Sequence, residues 1–281
     1  MLKRLEVDLQ FLTPYSYMTE LRHLQMVIME IMKDIDAVCK NNNIEYYLLG
    51  GSAIGAIRHK GFIPWDDDLD IIMDHENYEK FFRICRQELS PEKYYIQEAL
   101  KDWPMLFSKI RLKGTYLEEP GAYGTDKDQR GIFLDIFKLD NAPKSTMAKK
   151  WQYLCGKYVL CYALLKRGYK EASLKKKILM YSALPLNIKS LRNFFMHQLT
   201  KYNDKITGEY ATFGERYRYK ATFYRKDLFG KPLYVPFEDT MLPVPEKYDE
   251  MLTQLFGDYM TPPPVKEQQG WHMQKVDFGN Y

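Results

Sequence analysis

At 281 residues, 46% of them hydrophobic and 28% charged, the chain has room for one large folded domain or for a catalytic domain with a helical appendage, and its composition is that of an ordinary folded soluble protein. Its net charge of +4 conceals an uneven distribution: residues 144–205 hold 14 Lys and Arg against Glu171 and Asp204, net +12, which leaves −8 for the rest. The four cysteines (Cys39, Cys85, Cys155, Cys161) include no C-x-x-C pair and have no histidine at zinc-finger spacing, so zinc-finger and disulfide scaffolds give way to buried thiols in a reducing compartment.

Residues 1–16 lack an apolar core of signal-peptide length, and no run of ~18 apolar residues occurs anywhere; the best candidate, 178–188, is short and broken by Pro185. The expectation is a cytoplasmic protein that meets a membrane only by surface contact. Over 19–40, Leu21, Leu24, Ile28, Ile31, Ile35 and Val38 recur at three- and four-residue steps, the stripe of an amphipathic helix that packs on the protein's own sheet. Asn41–Asn43 stops it. Ile44–Leu49 (IEYYLL) reads as a strand, Gly50-Gly51 ends that strand, and Ser52 caps a short helix running to Arg58.

Leu69–Met73 reads as a second strand, followed by a helix from about Glu76 to Leu89 with Asp74 as its N-cap and Tyr78, Phe81, Phe82 and Cys85 facing inward. Tyr94–Gln97, Phe107–Lys113 and Ile132–Leu139 read as further strands, with a glycine-rich charged loop over 118–129. This order predicts an α/β fold, a mixed sheet flanked by helices. Lys144 to about Tyr202 reads as a basic helical insert. Pro243, Pro245 and Pro262–Pro264 favour an extended tail wrapping the body. The aromatic residues, 15% of the chain with 23 Tyr, serve packing or polar ligand and sugar contacts.

The chemistry concentrates in Gly50–Met73, GGSAIGAIRHKGFIPWDDDLDIIM. Asp66, Asp67, Asp68 and Asp70 would repel one another and raise each other's pKa unless a cation sat among them. Magnesium or manganese removes that penalty with oxygen ligands and substrate phosphates. The bland alternative is a solvated acidic turn. Strand alternation puts Asp66, Asp68 and Asp70 on one side and turns Asp67 away. Gly50-Gly51-Ser52 lets backbone approach a phosphate, or is simply a tight turn. Asp135, a lone carboxylate inside the apolar run IFLDIF, needs a cationic partner, metal or Lys or Arg. Together these parts suit metal-assisted phosphoryl-group transfer.

A strand, GGS, a helix, a D-x-D pair and a third Asp on a later strand resemble the nucleotidyltransferase superfamily. More narrowly, GGSAIGAIRHKGFIPWDDDLDI, KIRLKGTYLEE (109–119), GIFLDIFKLD (131–140) and MLPVPEKYDEMLTQLFGDYMTPPP (241–264) are similar to the LicD family, relatives of fukutin and the fukutin-related protein. The resemblance covers most of the chain outside 144–205. It implies transfer of a phosphorylated alcohol, in the best-known cases phosphocholine from CDP-choline, to a sugar hydroxyl of a cell-surface glycan or teichoic acid precursor. It puts Gly51 and Ser52 at the donor phosphates, Asp68 and Asp70 on a Mg²⁺ (or Mn²⁺) ion, Asp135 as a third carboxylate that is ligand or base, Asp66 as a further ligand and Asp67 in a structural role. The zinc site of the fukutin-related branch has no matching cysteine cluster here.

Other residues carry two readings each. Arg58, His59 and Lys60 contact donor phosphates or complement a helix end. Lys109 and Arg111 alternate on a strand and face the phosphates or pair with the acidic cluster. Trp65 stacks on a base or choline head group, or packs beside the turn. His272 lies in the C-terminal portion of the family resemblance, where it either approaches the site or has no part in it; spacing does not place it. The domain reading is a catalytic core over 1–143, the basic insert over 144–205 and a segment over 206–281 that completes the core. The insert is a solvated face, a contact with an anionic membrane or lipid-linked acceptor, or a nucleic-acid surface, the last without a supporting motif. Two rival functions remain: transfer of the nucleotide itself to a hydroxyl, or a non-catalytic relative that binds nucleotide or glycan.

Overall fold

The apolar stripe on residues 19–40 becomes the longest helix of the molecule, α1 (Pro14–Asn41), with Leu21, Leu24, Ile28, Ile31 and Ile35 almost wholly removed from water. It stops as the asparagines dictate. The Asn42 side-chain amide donates to the Val38 carbonyl at 3.0 Å, and Asn43 takes a left-handed φ of 49°, which its short polar side chain tolerates. The computed structural model describes residues 7–8, 14–101, 103–119, 127–169, 173–214, 218–268, 270 and 275–281.

A curled mixed sheet lies under α1. Its strands are β2 (Tyr47–Leu48), β3 (Asp70–Asp74), β4 (Tyr94–Gln97), β5 (Ser108–Leu112), β7 (Phe133–Ala142), β8 (Glu209–Ala211) and β9 (Phe223–Arg225). The order runs β2-β3-β7-β5-β4, with β8 joining the far end of β7 and β9 pairing β8. Only β3 and β7 are parallel; every other pair is antiparallel. Between β3 and β4 comes α3 (His75–Glu88), capped as expected by Asp74, whose carboxylate accepts the Asn77 amide at 2.8 Å. A small separate sheet joins β1 (Val7–Asp8), β12 (Lys275–Asp277) and β6 (Tyr116–Leu117).

Residues 144–205 form α4 (Thr146–Lys166), α5 (Leu174–Ser182) and α6 (Lys189–Thr200), after which the chain returns to β8 beside the strand it left. Leu160, Ala163, Leu164 and Met180 bury into the main core, while Cys155 and Leu199 share a second cluster with Ala142, Ala211, Phe213 and Phe223. The helices are thus fused to the body. All four cysteines are free thiols; Cys161 is half-buried rather than buried, and burial pushes Cys155 up to about 11.

Two sequence expectations are corrected. The first strand shortens to β2, because the chain leaving α1 is still tied back by the Ile44 amide to the Cys39 carbonyl at 2.9 Å. The tail is not simply extended: after α7 (Tyr219–Thr222) it forms a hairpin of β10 (Leu233–Phe237) and β11 (Thr240–Val244), then α8 (Tyr248–Phe256). Pro243 fits because a two-stranded ribbon turns alternate amides outward, where a missing N–H costs no ladder bond. Pro262–Pro264 alone keeps the extended reading.

Candidate active site

The register of three strands sets out a row of charge. Asp70 on β3 pairs directly with Asp135 on β7, and Asp135 pairs on its other side with Lys109 on β5. Side chains in register share a face of the sheet, so residues far apart in sequence meet in one row. Asp135 is buried, and its carboxylate lies 2.8 Å from the Lys109 ammonium, itself 1% exposed. The cationic partner that a buried Asp135 requires is therefore Lys109.

Lys109 also meets Glu119 at 3.1 Å, and Glu119 is shared with Arg111 at 2.7 Å and Arg167 at 3.3 Å. Burial lowers the Lys109 pKa, opposed by Asp135 and Glu119. Glu119 is held far below the ordinary carboxylate range: burial acts upward on it, and the three cations together outweigh that. Arg111, read in the sequence as facing either the donor phosphates or the acidic cluster, is bonded within the sheet. Its Nε donates to Gln97 at 2.7 Å, one terminal nitrogen to the Gly131 carbonyl at 2.9 Å and the other to Glu119. With all three guanidinium nitrogens bonded inside the protein and 1% exposure, it clamps the sheet. Lys109 is likewise held inside the protein, by Asp135 and Glu119 rather than by the Asp66–Asp70 cluster.

The acidic turn departs from strand alternation because β3 begins only at Asp70. Asp66, Asp67 and Asp68 lie in the turn before it, and carboxylate oxygens of all three come within 4.8 Å of one another. Asp67 is therefore not turned away from its neighbours; it is fully buried beside them. The Gln25 side-chain amide, a buried polar group on α1, holds this segment by donating to the Asp66 carbonyl at 2.9 Å and the Ile63 carbonyl at 3.2 Å.

The glycine motif sits against the same turn. Helix α2 (Gly50–Ile54) starts at Gly50 itself, which has φ 57°, and runs into a wider π-helical turn over Gly55–His59. A Cβ at Gly51 would stand 2.6 Å from Asp66 Oδ2, so this glycine leaves room for a carboxylate of the cluster. Ser52 does not cap the helix. Its hydroxyl oxygen accepts the Asp70 amide at 2.8 Å and is nearly buried, which fixes the start of β3.

The basic triplet follows. Arg58 donates through Nε to His59 Nε2 at 2.9 Å and through a terminal nitrogen to the Tyr259 carbonyl at 2.6 Å. Burial, with help from Arg58, pushes the His59 imidazole below the usual histidine range. His59 meets Trp65 edge-on, with ring centroids 6.2 Å apart, which ties the triplet to the residue preceding Asp66. Trp65 packs against the main core. Lys60 is exposed with a left-handed φ of 58°. The β10–β11 hairpin grips this segment: Glu238 accepts the Phe62 amide at 3.0 Å, pairs with Arg22 at 2.5 Å, and donates its own amide to the Lys60 carbonyl at 2.8 Å. His272 lies outside the described residues.

Sequence reasoning missed Gln25, Glu238 and Tyr259 as supports. Of these, Gln25 carried a signal, as a polar residue between Leu24 and Ile28 in the apolar stripe of α1. The donor set of the turn and row is wholly carboxylate oxygen, which suits a hard divalent cation such as Mg²⁺ or Mn²⁺. No Cys or His stands among these residues to favour a softer metal.

The sequence profile of the family described as LicD/FKTN/FKRP, nucleotidyltransferase domain, matches residues 43–161, a span that holds Gly51, the acidic turn, Lys109 and Asp135. The chain is 30% identical over 269 residues to the lipopolysaccharide cholinephosphotransferase LicD of Haemophilus influenzae, covering 91% of this chain and 97% of that protein. It is also 45% identical over 58 residues to an uncharacterized protein of Rickettsia typhi, 21% of this chain and 19% of that one. A match to an uncharacterized protein of Rickettsia prowazekii is 34% identical over 108 residues, 32% and 40% of the two chains. Among the described residues no helix is long and apolar enough to cross a membrane. With near end-to-end similarity to one member and the profile spanning the carboxylate row, the chain belongs to the LicD family of phosphotransferases.

Proposed function

We propose that this protein transfers choline phosphate from CDP-choline to a sugar hydroxyl of a cell-surface glycan precursor, of lipopolysaccharide or teichoic acid type. The observation that carries the reading is the in-register row Asp70–Asp135–Lys109 beside the Asp66–Asp68 turn, in a chain that covers 97% of a lipopolysaccharide cholinephosphotransferase. In the reaction the acceptor oxygen bonds to the phosphorus of choline phosphate, the pyrophosphate bond breaks, and CMP leaves. The acceptor proton passes to a carboxylate of the site or to water.

Asp66, Asp67 and Asp68, whose carboxylates cluster, would hold a Mg²⁺ or Mn²⁺ ion, with Asp70 and Asp135, paired with each other on the neighbouring strands, as the further carboxylates offered to it. When bound, such an ion offsets their mutual repulsion and stabilises charge on the donor phosphates. The chain's own residues do the positioning. Gln25 fixes the turn, Ser52 fixes the amide of Asp70, and Gly51 leaves space for Asp66. Lys109 offsets the charge of Asp135, which suits a ligand's role better than a base's. Arg58 and Lys60, beside the Trp65–Asp68 turn, supply cations for the donor phosphates.

On this reading the enzyme is cytoplasmic and works at the inner face of the membrane, where residues 144–205 approach a lipid-linked acceptor. Incubation with CDP-choline, Mg²⁺ and a candidate acceptor tests it. Release of CMP with choline phosphate on the acceptor supports it; CMP found on the acceptor instead makes the protein a nucleotidyltransferase.

A further inference from the structure

Residues 173–190, the end of the loop before α5 through the first turn of α6, lie on the surface, with only Met180, Ala183 and Leu186 of the stretch buried. The rest of this stretch is exposed although it is rich in large apolar side chains. Leu174 is 72% exposed, Ile178 63% and Tyr181 60%. These three stand at i, i+4 and i+7 on α5 and so form one stripe. Met180, the anchor of the helix, lies roughly 100–160° around it from these three, and their exposure shows that the stripe faces outward; Leu179, 52% exposed, stands off the stripe. Leu184 and Ile188, 46% and 59% exposed, continue it beyond the helix.

The charges around this stripe have one sign. Lys175 and Lys177 flank it on its two sides by helical geometry, Lys189 follows Ile188, and no Asp or Glu occurs anywhere in 173–190. An outward apolar stripe with a lysine border is the pattern of a helix lying in the interface of an anionic bilayer, its apolar side chains below the headgroups and its cations among the lipid phosphates. A second copy of this chain fits less well, since two such surfaces meeting would set lysines against lysines. A single-helix interfacial contact is also reversible, as an enzyme that must release a lipid-linked product requires.

We infer that α5 and the segment to Ile188 form a reversible docking surface for an anionic phospholipid membrane. The inference deepens the membrane clause of the proposed function and does not depend on the transfer chemistry. Each lysine near an anionic surface contributes about fivefold in affinity.

Flotation of the full-length protein with phosphatidylglycerol–phosphatidylcholine vesicles, and with pure phosphatidylcholine vesicles, tests it. Binding is expected to the anionic vesicles only and to weaken as salt rises. Leu174→Ser/Ile178→Ser/Tyr181→Ser and, separately, Lys175→Gln/Lys177→Gln/Lys189→Gln should each lower vesicle affinity at least about tenfold. Because the substituted side chains are exposed, melting temperatures should stay unchanged. Wild-type protein that fails to float at low salt would overturn the proposal. So would triple variants that float as well as wild type, or a concentration-dependent dimer that the apolar variant abolishes. Flotation needs neither donor nor acceptor, so its failure leaves the CDP-choline reading standing, and failure of CMP release leaves flotation untouched.

Discussion

Lys109 and Asp135 face each other across the antiparallel β5–β7 pair at 2.8 Å, both within the least accessible part of the sheet. Neither is a surface ion pair. Lys109 is also the link between the carboxylate row and the clamp of Glu119, Arg111 and Arg167. The site and the sheet's polar core are therefore one electrostatic unit, and disturbing one side should register on the other.

Replacing Lys109 by Met removes the charge but keeps much of the volume, leaving Asp135 without its ammonium. Breaking a buried pair by removing one partner costs about 3–5 kcal/mol. Urea unfolding of Lys109→Met should show a loss of that order, with added Mg²⁺ restoring part of it by replacing the missing countercharge. A loss within ~0.5 kcal/mol of wild type, the range of ordinary surface substitutions, would mean the pair is not structural.

The pH dependence follows from Glu119. Its native pKa lies well below the ordinary value of 4.5, so its charged form stabilises the fold. That contribution is complete above the unfolded-state pKa and is lost as pH falls further toward the native value. The stability gap between wild type and Glu119→Gln should thus be flat from neutral pH down to about 5 and close only below ~4.5. A gap that narrows already near pH 6 would contradict the pairing.

At Gly51 the test concerns space. An added methyl would press on Asp66 Oδ2, and the flexible carboxylate yields before the helix does. Gly51→Ala should keep its melting temperature while metal affinity falls about 10–100-fold, the size of effect seen when the supports of a metal site are disturbed. Titration calorimetry with Mn²⁺ reads this directly; unchanged affinity would remove Asp66 from the ligand set.

Support from the tail can be checked at Glu238. Its carboxylate accepts the Phe62 amide and meets Arg22, which is half exposed. Glu238→Ala should cost about 1–2 kcal/mol, mostly through the unsatisfied amide and little through the screened ion pair. Exchange of the Phe62 amide should quicken with it. If that amide stays as protected as in wild type, the hairpin does not hold this segment.

Much of the architecture was legible because periodicity and capping are local. The α1 stripe, the Asp74 cap and the β-strand runs at 94–97 and 133–139 could be read from neighbouring residues alone. Asp135 announced itself as a charge in an apolar strand, and the need for a cation followed from physics. What the sequence concealed was where β3 begins. Alternation across Asp66–Asp70 presumes an extended strand, but residues 66–69 are irregular and β3 starts only at Asp70, which gathers Asp67 with its neighbours. The surroundings of Arg111 were hidden for a related reason: that each nitrogen of its guanidinium is bonded, to Gln97, Gly131 and Glu119, depends on contacts that no spacing reveals. Glu238 and Tyr259 support the site from the far end of the chain and were invisible on the same grounds, whereas Gln25 showed itself as a polar residue within the apolar face of α1.

The most direct test of the central claim is CMP release from CDP-choline by wild type and by Asp70→Asn, with Mg²⁺ and a glycan acceptor present. The in-register carboxylate row predicts metal-dependent CMP release with choline phosphate on the acceptor, and a drop of at least about a hundredfold in Asp70→Asn, while the variant stays folded. Turnover in Asp70→Asn equal to wild type, or turnover indifferent to chelation of divalent ions, would contradict it.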